Sequence, residues 1–175
     1  MNTSFRSIRP KGDEHIPYYS TYIDRVPDGD IVETLKTSTP DVLAFLRGIP
    51  ESRFDYRYAP DKWSIRQIVG HLSDGERVFQ YRAWRFSRGD TIAVPGFDEN
   101  LYVANGPFEH VSMPDLIDEF ESLRRASIRL FNNMDEQAMA RRGVANDAEI
   151  SVRAIAFIIE GHVSHHMQVL RDRYL

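Results

Sequence analysis

Four segments of this chain carry apolar residues at helical spacing, whereas no segment of useful length alternates like a β-strand. The four segments run over residues 30–48, 64–89, 112–135 and 151–173. Each is long enough to form a helix that buries one face, and 175 residues suit a single domain. The pattern therefore predicts an all-α fold, a four-helix bundle.

Local signals indicate where these helices begin. Ser64 and Gln67 form the capping-box pattern, in which each side chain bonds a backbone N–H at the other residue. Ser112 and Ser151 are the expected N-caps of the third and fourth helices. Pro40 interrupts the first segment, so we expect either a kink there or two shorter helices.

The remaining chain is expected to pack on the bundle, so that residues 1–175 form one domain. Residues 1–28 form an N-terminal extension, in which the segment PYYSTYIDRV can add a short helical turn. The connection between helices two and three, about residues 88–111, is long and rich in apolar side chains. Such a composition is too apolar for disorder, so we expect this loop to cross the bundle.

The charge balance and the lack of cysteine exclude several classes of function. Lys and Arg number 22 against 26 Asp and Glu, and this net charge of −4 disfavours nucleic-acid binding. Without cysteine the chain has no disulfide, no thiolate metal site and no cysteine nucleophile. No apolar run approaches the roughly 20 residues that span a bilayer, and the N-terminus lacks the apolar core of a signal peptide. We therefore expect a cytoplasmic protein with neither nucleic acid nor membrane as a partner.

Three of the six histidines lie close together in the last predicted helix. His162 and His166 are one turn apart, and a helical wheel places both inside the apolar face, with His165 on its border. Imidazoles directed at a core are costly unless each ring nitrogen finds a partner. One metal ion would satisfy both, because residues four apart on a helix can direct their rings at a single point.

A third histidine has the same orientation on the second predicted helix. His71 lies on the inward side, and Gly75 one turn later leaves space beside it. Together with His162 and His166 it would form a three-histidine site with an open position, as in catalytic metal centres. The alternatives are hydrogen-bonded core histidines, or a site in which His165 replaces His166. The other two histidines, His15 and His110, are expected at the surface.

Two motifs around these histidines resemble those of DinB/YfiT-like proteins. They are the segment YAPDKWSIRQIVGHL at 58–72 and the closing segment GHVSHHMQVL at 161–170. The resemblance implies an up-up-down-down bundle of four helices, often dimeric, with a divalent metal held by three histidines. Carried over by position, the ligands are His71, His162 and His166. His165 occupies a position that is commonly histidine without being a ligand.

The resemblance also implies an activity, because similar proteins include metal-dependent hydrolases, bacillithiol S-transferases and mycothiol-dependent maleylpyruvate isomerases. A metal on three neutral imidazoles keeps its charge and lowers the pKa of a bound water or thiol. We predict a homodimeric enzyme in which Zn²⁺ or Ni²⁺ activates a low-molecular-weight thiol cosubstrate for transfer to a small electrophilic substrate. The alternatives are hydrolysis by metal-bound hydroxide, or a non-enzymatic bundle with a structural metal.

A few further side chains are weaker candidates for the site. Asp98, in the long loop, is the predicted catalytic carboxylate, as a base, a fourth ligand or a partner of a histidine, with Glu99 as the second choice. Arg82 projects on the same side of its helix as His71 and could receive an anionic substrate, although an ordinary ion pair is the simpler interpretation. Four aromatic residues could each lie in the pocket, at a dimer interface or in the core, and the sequence does not decide among these positions: Trp63, Tyr81, Trp84 and Tyr102.

Overall fold

The computed structural model describes residues 4–175, so the first three residues of the predicted extension lie outside the description. The helices, in chain order, are α1 (Ser20–Ile23), α2 (Ile31–Arg47), α3 (Ile65–Ser87), α4 (Glu99–Asn105), α5 (Met113–Asn132), α6 (Glu136–Ala140) and α7 (Val152–Val169). Short 3-10 turns occupy Phe5–Ser7, Pro17–Tyr19 and Glu51–Arg53, and a π-helical turn, Leu170–Tyr174, continues α7. The four long helices α2, α3, α5 and α7 form the predicted bundle.

The predicted helix starts are confirmed by their caps. The capping box of Ser64 and Gln67 is complete, and the Ser112 and Ser151 hydroxyls accept hydrogen bonds from backbone N–H groups three residues on. α2 runs through Pro40 as one helix, so the alternative of two shorter helices is wrong. Pro40 and Lys36, whose carbonyl loses its usual donor, are both exposed to solvent, which keeps the cost of the missing bond low.

Two apolar cores at opposite ends of the bundle define the helix directions. One core joins the start of α2 to the end of α3 and the start of α7, for example through Leu35, Phe86 and Ile155. The other joins the end of α2 to the starts of α3 and α5 and to the end of α7. Helix α2 therefore runs parallel to α7 and antiparallel to both α3 and α5.

The order of directions along the chain differs from the one that the resemblance implies. With the direction of α2 taken as up, α7 also runs up, whereas α3 and α5 run down. The order of neighbours around the bundle is α7, α2, α5 and α3, so the directions around the bundle are up, up, down and down. Along the chain the directions are up, down, down, up, which corrects the implied up-up-down-down order. The reason is the long connection, which runs back along the bundle and lets α5 start beside the start of α3.

A short β-hairpin precedes α7, although no strand is expected from the sequence. Strands β1 (Arg142–Ala145) and β2 (Ala148–Ser151) pair antiparallel around a turn in which Asn146 and Asp147 have φ values of 53° and 59°. Four-residue strands are too short for alternation to be read. The hairpin also anchors the long loop, since the Val94 amide donates to the Val144 carbonyl and the Asn146 amide to the Val94 carbonyl.

The N-terminal segment packs on α7, and the short helical turn predicted there is present. The backbone of Tyr22 in α1 fills the space that a side chain at Gly161 would need. Glu14 is buried and accepts a hydrogen bond from the Ser151 hydroxyl at 2.7 Å. His15 is only 9% exposed and bonds the Ile16 carbonyl, so its predicted surface position is wrong. Among the described helices, none has the length and apolar character needed to cross a membrane.

Candidate metal centre

The fold brings His71, His162 and His166 together between α3 and α7. One donor nitrogen from each ring lies within 4.8 Å of the other two. The Nε2 atoms of His71 and His162 are 2.9 Å apart, and the ring centroids of the three histidines are 4.7–4.9 Å apart. Three imidazoles that converge in this way can bind one cation.

The site follows from antiparallel packing and from one glycine. His162 and His166 are one turn apart on α7, and the start of α3 lies beside the end of α7, which sets His71 opposite them. Gly75, one turn after His71, faces His162, and a Cβ atom there would lie 2.9 Å from the His162 Cε1 atom. The space that the sequence suggests beside His71 is therefore used by a histidine ring.

Aromatic side chains hold the three rings in place, and His165 lies outside the group. The Trp63 ring packs on His71 at 4.7 Å between centroids, and Tyr22 contacts His162 edge to face at 5.4 Å. His165 is half-buried and contacts Tyr22 at 5.6 Å instead of joining the other three. The geometry thus brings together the ligand set that includes His166, and not the alternative with His165.

Burial keeps the three imidazoles neutral at physiological pH. Desolvation lowers the pKa of His71 to about 4. The pKa values of His162 and His166 lie well below the usual range, first because of burial and then because of the neighbouring histidines. Neutral imidazole is the form that binds metal ions, so no proton has to be removed before binding near pH 7.

The histidines form one wall of a cavity of about 330 Å³, and segments outside the four long helices supply a large part of the rest. The N-terminal segment contributes Tyr19 and Tyr22, the long loop contributes Phe97, and the hairpin turn contributes Asn146. These walls were missed at the level of sequence, because nothing in their local pattern links them to the histidines. Trp63 also lines the cavity, which is one of the three positions that the sequence left open for it.

The other sequence candidates are distributed differently. Asp98 is exposed and caps α4, where its Oδ1 atom accepts hydrogen bonds from the amides of Asn100 and Leu101 at 2.9 and 3.1 Å. Glu99 and Arg82 both line the cavity. Three aromatic candidates are about half exposed and do not line it, namely Tyr81, Trp84 and Tyr102, and His110 is exposed. The predicted homodimer stays a prediction.

A buried cluster of three charged side chains, which was not predicted from the sequence, lies in the bundle beside the histidines. Arg124 of α5 donates to Glu160 of α7 at 2.8 Å and to Glu76 of α3 at 3.1 Å. The side chains of Arg124 and Glu76 are 1% exposed, and that of Glu160 is 8% exposed. Because Glu76 follows Gly75 and Glu160 precedes Gly161, the cluster joins the two helices that carry the histidines.

Comparison with known proteins agrees with this geometry. The model of the DinB superfamily matches residues 34–170. The chain belongs to the DinB superfamily. A protein of Oceanobacillus iheyensis, named as a candidate metal-dependent hydrolase, is 23% identical over 148 residues, which are 82% of this chain and 85% of that protein.

The fold of this DinB-superfamily chain is also that of a solved structure. YfiT from Bacillus subtilis, described as a probable metal-dependent hydrolase with an unusual four-helix bundle topology, superposes with a TM-score of 0.71. The two share 17% sequence identity, and the superposition covers 94% of this chain and 93% of YfiT. At this identity the match establishes the four-helix bundle fold.

Proposed function

We propose that His71, His162 and His166 hold one divalent metal ion and that the protein uses it to hydrolyse a small molecule bound in the cavity. One observation carries this proposal, namely three neutral ring nitrogens within 4.8 Å of one another on a cavity wall. The names of the Oceanobacillus relative and of YfiT support the reaction class.

The residues present fit a metal ion. The Nδ1 atom of His166 is buried and has no hydrogen-bond partner in the described chain, and the Nε2 atoms of His71 and His162 face each other at 2.9 Å. The two facing Nε2 atoms can satisfy each other with one N–H···N hydrogen bond, whereas the Nδ1 atom of His166 has no such partner, so a bound cation would offset the cost of burying it. Imidazole donors suit Zn²⁺ and Ni²⁺.

The number of ligands favours a catalytic site over a structural one. In the described chain, the group of converging donors has three members. Structural zinc sites are normally closed by four protein ligands, whereas catalytic sites keep a position for water or substrate. When bound, the metal would act as a Lewis acid that lowers the pKa of water and polarises the bond to be cleaved.

The residues of the chain would orient the substrate and move a proton. Trp63 and Tyr22 pack against the histidine rings, and the N-terminal segment lines the cavity with Tyr19 and Tyr22. Glu99 is the acidic residue among the described cavity-lining residues, and in this proposal its carboxylate accepts a proton from the attacking nucleophile. Asp98 holds the first turn of α4 and thereby the position of Glu99, and its own catalytic role stays a prediction.

Thiol transfer is the second candidate, and a second cavity favours it. A space of about 270 Å³ lies on the other side of Trp63 and shares Trp63, His165 and His166 with the first cavity. Two spaces that meet at a candidate ligand could admit a thiol and an electrophile separately. The thiol would come from a cosubstrate, because the chain has no cysteine.

The first test is the metal content of protein purified without an affinity tag. We expect about one equivalent of zinc or nickel in the wild type and a loss of at least tenfold in metal affinity for His162→Ala. The matched control is His165→Ala, which removes a neighbouring histidine outside the group and should keep the metal. Equal metal content in all three proteins, or none in the wild type after titration with zinc and nickel, would refute the proposal.

The second test separates the two reactions in the metal-loaded protein. A panel of small esters, amides and epoxides is assayed with and without added low-molecular-weight thiol, and the products are identified by mass spectrometry. Hydrolysis predicts products that incorporate oxygen from ¹⁸O-labelled water without any thiol. Thiol transfer predicts that turnover requires the thiol and that a thioether appears.

A further inference from the structure

We propose that Arg82 binds an anionic group, a carboxylate or a phosphate, on the molecule that occupies the cavity. This inference rests on the proposed function, since it names the class of substrate that the three-histidine site would act on. It assigns to Arg82 the recognition of one end of the substrate, while the histidines lie near the reacting end.

Arg82 faces the same cavity as the histidines but lies well along α3 from them. Residues 71 and 82 are eleven positions apart, which is roughly 16 Å of helix rise with about 20° between their directions. Both side chains line the cavity, and Phe79 lies between them on its wall. The Arg82 side chain turns back over the Phe79 ring, 5.7 Å from its centroid, and that ring lies 6.3 Å from the His162 ring, so one small molecule in the cavity can contact both the guanidinium and the histidine side.

The guanidinium of Arg82 is buried and is not neutralised by the chain. Arg82 is 3% exposed, and in residues 4–175 no carboxylate oxygen lies within 4 Å of its nitrogens. Its Nη2 atom donates to the Pro95 carbonyl at 3.2 Å, the guanidinium contacts the Tyr19 hydroxyl, and the Nε atom is buried without a partner in the described chain. Arginine offers five N–H donors, so most of the planar fork is left for a ligand.

The surroundings of Arg82 favour an anion. The guanidinium packs over the Phe79 ring at 5.7 Å, which orients its plane without neutralising its charge. Tyr19 lies next to it, and burial raises the pKa of the phenol, so the hydroxyl stays protonated and can donate to the same anion. Glu99 is the one negative side chain among the described lining residues, and its exposed carboxylate is more than 4 Å from Arg82.

A buried charge without a counter-ion is costly. The same fold contains another buried arginine, inside the bundle and away from the cavity, and this one has counter-ions from the chain itself. Arg124, equally buried, has two carboxylates within 3.1 Å. The different treatment of Arg82, on the wall of a cavity, indicates that its partner arrives with the ligand.

The test titrates the intact wild-type protein with inorganic phosphate and, separately, with acetate. The Nε–Hε resonance of Arg82 is followed by NMR, and thermal stabilisation gives a second readout. We expect saturable shifts of that resonance, and the tighter of the two probes distinguishes a phosphate from a carboxylate group. Arg82→Met should weaken binding at least tenfold, while Arg82→Lys should lie between it and the wild type.

Two further variants separate this proposal from the metal site. His162→Ala should keep the binding of phosphate or acetate within about threefold even where the metal is lost, because the anion contacts Arg82. The matched control is Arg88→Met, which removes the same charge from an exposed position at the end of α3 and should change neither probe.

The outcomes are unambiguous. Loss of anion binding in Arg82→Met with unchanged metal content would support the proposal, even if the predicted hydrolase activity is never found. Three results would overturn it. They are binding of both probes by Arg82→Met as in the wild type, absence of binding to the wild type, and loss of binding in His162→Ala alone. Should Arg82→Met fail to fold, the wild-type resonance and Arg82→Lys still decide.

Discussion

The two most deeply buried arginines of the bundle lie in regions that differ in whether the chain supplies a carboxylate partner for the positive charge. Arg124 and Arg82 are 1% and 3% exposed, and each packs over a phenylalanine ring one turn earlier in its helix, at 5.4 and 5.7 Å. Arg124 lies among α3, α5 and α7 with two carboxylates, whereas Arg82 lies on a cavity wall with one carbonyl. A buried charge that is paired with carboxylates of the same chain contributes to the fold, whereas a charge without a counter-ion at a cavity is available to a ligand.

The buried cluster of charged side chains also connects the two helices that carry the histidines. Glu76 follows Gly75 on α3, and Glu160 lies two residues before His162 on α7, so Arg124 fixes both helices at the level of the candidate site. The cluster contains two carboxyl groups and one guanidinium, and one oxygen of Glu76 is buried without a hydrogen-bond partner in the described chain. We infer that the cluster positions the site while Arg82 serves recognition.

Removing the charge of Arg124 should have the largest effect on stability. Arg124→Met leaves Glu76 and Glu160 buried without a counter-ion, so we expect a loss of about 3–5 kcal/mol in the free energy of unfolding. Urea unfolding followed by circular dichroism measures it. The matched control is Arg125→Met, at the next, exposed position, which should lie within about 0.5 kcal/mol of the wild type. Equal losses in the two variants would contradict the role given to the cluster.

Replacing the whole cluster should have a much smaller effect. In Glu76→Leu/Arg124→Met/Glu160→Leu no buried charge is left unpaired, so we expect recovery to within about 2 kcal/mol of the wild type, or above it. The same unfolding assay tests this, with Arg124→Met as the reference. If the triple variant is no more stable than the single one, the ion pairs stabilise the fold more than apolar packing can.

The histidine site was largely predictable from the sequence, because its information is local. The four-residue spacing of His162 and His166, and the inward direction of His71, follow from helix geometry once the helices are assigned. The same geometry placed Arg82 on the side of α3 that faces the cavity. Caps at Ser64, Ser112 and Ser151 set the helix starts by hydrogen bonds within four residues.

The cavity walls and the charge pairing were not predictable, because both depend on contacts between distant segments. Tyr22 reaches His162 across 140 positions of the chain, and no periodicity encodes that contact. Asp98 was predicted for its carboxylate, yet it caps a seven-residue helix inside the long connection, and that helix was not predicted from the sequence. Whether Arg82 or Arg124 finds a carboxylate depends on residues from other helices.

The smallest predicted effect is the change in stability of Arg82→Met, and its size relative to that of Arg124→Met sharpens the comparison most. Removing a buried charge that has no counter-ion relieves a desolvation cost, while the bond to the Pro95 carbonyl and the contacts with Tyr19 and Phe79 are lost. These terms oppose each other, so the free energy of unfolding should stay within about 1 kcal/mol of the wild type. Arg124→Met, measured in the same buffer free of phosphate and carboxylates, is the reference. A loss as large as that of Arg124→Met would mean that the folded chain itself supplies a strong partner for Arg82, and the cavity would then need another group to recognise an anion.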